Sequence, residues 1–112
     1  MIIYYARAVP QGHIKIGRTR SSDPSLRLRS LEGESSGRLV LELLATEPGG
    51  VERERELLAR FRPLGLEHNP FPPRYLAAGI ADGRIRPPRT REWFRAEEPL
   101  LSHIASLAPK GS

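Results

Sequence analysis

Ile2-Ile3-Tyr4-Tyr5-Ala6-Arg7-Ala8-Val9, then Pro10-Gln11-Gly12, then His13-Ile14-Lys15-Ile16-Gly17: these residues decide the fold of the 112-residue chain. The first eight are apolar, β-branched and aromatic, which favours a strand. Pro10-Gln11-Gly12 has turn chemistry. His13 to Gly17 alternates polar and apolar, the pattern of a half-buried strand. Together they predict a hairpin, and two registers are open. A three-residue turn at 10–12 puts Tyr5 and Lys15 on one sheet face. A two-residue turn at 11–12 puts Tyr4 and Lys15 there.

Outward from the hairpin, Ser21-Ser22-Asp23-Pro24 has the cap-then-proline chemistry of a helix start, and the helix is expected from Pro24 to Leu31, ending near Gly33. Gly37 breaks the chain, and Arg38 to Thr46 reads as a third strand. Pro48-Gly49-Gly50 stops it, and Val51 to Phe61 is charged and helical. Residues 63–91 hold more than half of the 11 prolines and read as an extended excursion, with a short helix around Tyr75–Ala78. So long a structureless stretch in a small domain points to function or mobility. Glu92-Trp93-Phe94 resumes apolar character, Glu97 to Ala108 is an amphipathic helix, and Lys110-Gly111-Ser112 is a frayed end. The order predicts one α/β (α+β) domain over 1–112, a central three-stranded antiparallel sheet flanked by helices.

Composition narrows the function. The length excludes a doubly wound dinucleotide fold. With no cysteine there are no disulfides, thiolate metal sites or cysteine nucleophiles. No apolar run approaches a membrane span, and the first residues lack a signal peptide's basic and hydrophobic regions, so a cytoplasmic protein without a membrane is expected. The 18 basic residues exceed the 13 acidic ones, and all but Lys15 and Lys110 are arginine. Arginine forks onto phosphate and stacks on bases, so the surplus suggests a polyanion. An Arg/Gly/Pro-rich, Lys-poor mix is also what a GC-rich genome produces.

One acid is out of place. At about 100° per residue, Leu57, Phe61 and Leu58 fall within one arc of the Val51–Phe61 helix, and Glu54 sits in the middle of it. An ionised carboxylate on a core-facing stripe needs a partner. An arginine from elsewhere is the commoner solution; the other is a divalent cation such as Mg²⁺, which accepts one or two carboxylates and completes its shell with substrate phosphates. On the first helix, Arg27 lies beside Leu31 at the border of core and solvent, where a guanidinium can enter a cleft.

These pieces resemble the GIY-YIG nuclease superfamily. Ile3-Tyr4 stands for its I-Y, ten residues intervene, and Lys15-Ile16-Gly17 stands for Y-I-G. A phage-related branch, described as meiotically up-regulated gene domains, carries K-I-G here. Arg18-Thr19, Arg27-Leu28-Arg29-Ser30-Leu31, Glu54-Arg55-Glu56-Leu57 and Glu92-Trp93-Phe94 follow in that branch's order, and the likeness runs from Ile3 to about Ile104. Glu54 also precedes Pro63 by nine residues, as the metal-binding glutamate precedes a proline in the repair-nuclease members. The chain departs from the pattern in Lys15 for the second tyrosine, in two extra residues before Arg27, in Leu58 where the branch often has His, and in a longer excursion.

The resemblance implies a DNA endonuclease that hydrolyses phosphodiester bonds with one Mg²⁺ (or Mn²⁺). It implies Glu54 as the metal ligand and Arg27 as a fork on the scissile phosphate. Tyr4, with Tyr5 in reserve, takes the nucleophile's proton, and Lys15 bonds phosphate or lowers the tyrosine pKa. Arg7, Arg18, Arg29 and Arg91 are expected on the DNA backbone; the excursion, for its part, could cover the site, read DNA through Arg74, Arg84, Arg86, Arg89 and Arg91, or do neither. A catalytically inactive nucleic-acid-binding module on the same fold is the alternative, and a basic protein-interaction domain the third reading. His13, His68 and His103 lack zinc-site spacing and read as structural, and Trp93 and Phe94 read as core.

Overall fold

The structure, a computed structural model, describes residues 1–34, 39–72 and 74–107. The break expected at Gly37 and the frayed end at 110–112 lie outside them.

Strands β1 (Ile2–Val9), β2 (Ile14–Thr19), β3 (Val40–Pro48) and β4 (Trp93–Phe94) form one antiparallel sheet in the order β3-β1-β2-β4. The sheet has four strands where the sequence predicts three. The extra one is only Trp93-Phe94, which pairs with Lys15 and Ile14. Two residues are too few to show a strand's alternation. Central β1 is covered on both faces, which is why Ile3, Tyr4, Tyr5 and Ala6 are consecutive and all buried.

The hairpin register pairs Tyr4 with Gly17, Tyr5 with Ile16 and Ala6 with Lys15. Tyr4 and Lys15 therefore share a face, and Tyr5 points to the other. The turn differs from both expected forms. Ala8 N–H bonds His13 O at 2.9 Å and Gly12 N–H bonds Ala8 O at 2.7 Å, so the chain reverses over residues 9–12.

Helix α1 (Ser25–Glu34) begins where Asp23 Oδ1 accepts the Ser25 N–H at 3.0 Å, a cap that satisfies a first-turn donor. It lies on the Tyr4 face, its Leu28 packed on Tyr4 and Ala6. Helix α2 (Val51–Arg60) follows Gly49, whose φ of 153° lies where an L side chain is strained. Helix α2 covers the opposite face with α4 (Leu100–Leu107). Leu57, Phe61, Leu100 and Ile104 pack there on Ile3, Tyr5, Ile14 and Ile16. The last helix starts three residues later than expected, after Pro99.

The described residues of the excursion have regular structure and pairing rather than none. Leu66 N–H bonds Trp93 O at 2.9 Å, Thr90 N–H bonds Glu67 O at 3.3 Å and Asn69 N–H bonds Pro88 O at 2.8 Å. Its two ends thus run side by side as the stem of an arm. Helix α3 (Arg74–Ala81) is carried beyond the stem, twice as long as the short helix expected at Tyr75–Ala78. Leu66 and Phe71 pack on Trp93 and hold the stem to the sheet. Such non-local pairing has no periodic signature in sequence.

Candidate functional site

On the Tyr4 face, β4 accompanies β2 only along Ile14 and Lys15, with one further bond from Ile16 N–H to Glu92 O at 2.9 Å. Beyond that point the β2 edge opens into a cleft of about 330 Å³. Strand β1 contributes Tyr4 to its wall, and β2 contributes Lys15, Gly17, Arg18 and Thr19. Arg27 comes from α1, Glu54 from α2, Glu92 from the loop before β4, and Arg20 and Met1 close the ends. Glu54 is on α2, which packs on the opposite face, yet its side chain lines the cleft. Four cationic side chains and two carboxylates line it, which leaves it net positive.

Gly17 explains how a tyrosine fits against the sheet. A Cβ built on Gly17 would fall on the Tyr4 phenol, oxygen and ring alike. The bare backbone is therefore the seat on which the hydroxyl rests. The phenol's pKa is pushed up to about 12, chiefly by burial. Arg27 pulls the other way through its charge and a hydrogen bond to the phenol, while the Glu92 charge adds to the rise. Tyr4 thus stays protonated at neutral pH.

Lys15 is 6 % exposed, and its Nζ donates to Glu92 Oε2 at 2.6 Å and lies 5.7 Å from the Trp93 ring centre. The ammonium is held by Glu92, and it is Arg27 that lowers the phenol's pKa. Glu54 has the arginine partner that its helical position demands: Arg18 Nε donates to its Oε1 at 3.2 Å. The Glu54 side chain is 15 % exposed and the pair faces the cleft, so this arginine sits on the hairpin itself.

The donor set bears on a metal. Among the described residues no group of three or more His, Asp or Glu side chains is placed to hold an ion. The cleft therefore offers no ready-made cage. One largely buried carboxylate, whose Oε2 has no hydrogen-bond partner among the described residues, fits a hard cation that draws its remaining ligands from water and substrate phosphate.

Tyr4, Lys15, Arg18, Arg27 and Glu54 are brought together here, and Arg7, Arg29 and Arg91 are not. Arg7 is tied to Glu42 at 2.9 Å on the β1–β3 side, and Arg91 lines a different groove. Arg29 is exposed on α1 outside the lining. Sequence reasoning missed Arg20 and Glu92 as lining residues. Glu92 had a signal, its place at the head of Glu92-Trp93-Phe94. Arg20 had only its two-residue spacing from Arg18.

Tyr5, the reserve tyrosine, lies across the sheet. Its hydroxyl donates to Glu47 Oε1, with His103 Nε2 3.0 Å away, and Arg53 Nε and Nη2 donate to Glu47 Oε2 at 3.1 and 3.0 Å. Burial and the bond to Glu47 raise the Tyr5 pKa far above the phenol range. Burial would also raise that of Glu47, but the bonds from Tyr5, Arg53 and His103 outweigh it and hold the carboxyl low. This closed network ties α2 and α4 to the sheet. Comparison with protein-family models, with curated proteins and with solved structures finds no match to this chain.

Proposed function

We propose that the protein is a divalent-metal-dependent endonuclease that hydrolyses phosphodiester bonds in DNA, with its cleft built in the manner of the GIY-YIG nucleases. One observation carries the reading. A tyrosine, a lysine, an arginine and a glutamate from four separate elements, the types and order the sequence resemblance assigns, meet in one net-positive cleft.

In this reading Arg27 grips the non-bridging oxygens of the phosphate as a two-pronged donor. Arg18 and Arg20 hold the flanking backbone, which adds affinity without sequence preference. Tyr4, protonated at neutral pH, does not take the water's proton, the role the sequence resemblance implies for it. It orients the attacking water by accepting its hydrogen bond. As the new P–O bond forms and the bond to the leaving sugar oxygen breaks, the water gives a proton to solvent and the leaving oxygen takes one from it. Lys15, paired with Glu92 at the cleft wall, places a positive field under the charge that builds on the phosphoryl group. Glu54 would hold Mg²⁺ or Mn²⁺ through its carboxylate, and Arg18, its partner in the cleft, would then be free for phosphate. What the bound ion supplies is Lewis acidity and neutralisation of the scissile phosphate.

Supercoiled plasmid tests the reading. Wild type nicks it with Mg²⁺ and not with EDTA, and Arg27→Ala loses at least a hundredfold in rate, the scale of one lost transition-state donor. Salt-sensitive DNA binding with no Mg²⁺-dependent nicking would leave the inactive binding module instead.

A further inference from the structure

A second groove, of about 540 Å³, runs between α2 and the stem of the arm. Arg55, Arg62, Arg89 and Arg91 line it, and among the described residues none of the four has a carboxylate within ion-pair distance. The one acid of the lining, Glu67, is 72 % exposed and turned to His68 at 3.9 Å. Four unpaired like charges around one concavity repel each other and form a field that attracts an anion. The bridge between His68 and Arg89 and the bond from Thr90 N–H to Glu67 O fix the stem that carries two of them.

The groove also adjoins the cleft. Glu54 lines the cleft and Arg55 the groove, and Glu92 lines the cleft and Arg91 the groove. Two pairs of chain neighbours, on α2 and on the segment leading to β4, thus straddle a single wall. On the α2 side the divider is the helix itself, about 10–12 Å across with its side chains.

We propose that this groove binds the phosphodiester backbone of the nucleic acid on the far side of α2 from the cleft, so that one DNA molecule spans both. The identity of the polyanion rests on the reading of the cleft. The arm is the structural reason for the groove. Without the stem, Arg55 and Arg62 would be two solvated arginines on a helix and its end.

The test is fluorescence anisotropy in EDTA with a labelled DNA duplex of about 20 base pairs, from about 50 to 200 mM salt. Arg62→Ala/Arg89→Ala weakens binding roughly tenfold and makes the slope of log affinity against log salt shallower by nearly two, about one for each phosphate no longer neutralised. Arg55→Ala/Arg91→Ala does the same independently. Arg60→Ala/Arg95→Ala removes equal charge from exposed positions outside the groove and leaves both quantities near wild type. Equal weakening by the control pair, or wild-type binding by both groove pairs, overturns the proposal, as does failure of the wild type to bind DNA. Groove-dependent binding without Mg²⁺-dependent nicking would sustain the groove and sink the nuclease. Nicking with groove-independent binding would do the reverse.

Discussion

Gly17→Ala is the smallest change that tests how the cleft is built. The added methyl would overlap the Tyr4 hydroxyl, with the ring carbon that bears it only 2.5 Å away. Tyr4 is 1 % exposed and wedged against Ala6 and Leu28, so the ring has little room to yield. Overpacking of this kind costs about 1–3 kcal/mol. In a domain of this size that lowers the melting temperature by roughly 4–12 °C. The phenol oxygen is what must move, so nicking should fall by more than stability alone explains, at temperatures where the variant is fully folded. Melting followed by circular dichroism gives the first quantity and single-turnover plasmid nicking the second. A double-mutant cycle with Tyr4→Ala isolates the interaction, because removing the ring removes the clash and part of the Gly17→Ala penalty disappears. A Gly17→Ala protein that melts with the wild type would refute the packing of Tyr4 on bare backbone.

Two further outcomes follow from the polar groups. The Glu47 carboxyl is held below its ordinary value of 4.5, so its hydrogen bonds contribute stability that is full above that pH and is lost as the pH falls through the lower folded value. Urea midpoints from about pH 6 down to pH 3 should show that loss, and Glu47→Gln should flatten it; an unchanged acid limb in the variant would contradict the role of the network. Lys15→Met replaces a buried ammonium by an apolar chain and frees a half-exposed Glu92, so stability should stay within about 1 kcal/mol of wild type while nicking collapses. Retained nicking in a folded Lys15→Met protein would remove Lys15 from the chemistry.

The sequence carried much of this because periodic features are local. The hairpin, both flanking helices and β3 announce themselves through alternation, caps and glycine stops. Glu54 was legible for the same reason, as an acid set among Leu57, Leu58 and Phe61 on a helical stripe. The choice between Tyr4 and Tyr5 was not, because a one-residue difference in turn length flips the face of a strand and Pro10-Gln11-Gly12 fits more than one turn. The arm was not legible either: its stem is joined by Leu66–Trp93 and Glu67–Thr90 bonds between residues more than twenty positions apart. The same distance hid Arg55 and Arg91 as neighbours across one groove. His103 read correctly as structural, but nothing in its own helix foretold that it would close a network with Tyr5 and Glu47.

Glu54→Ala, assayed side by side for melting and for Mg²⁺-dependent plasmid nicking, tests the central claim most directly. Its pair with Arg18 is partly solvated, so its loss costs at most about 1 kcal/mol and the variant folds. The account predicts a near-normal melting temperature and DNA binding with nicking reduced to the EDTA background. Wild-type nicking by a folded Glu54→Ala protein would contradict it.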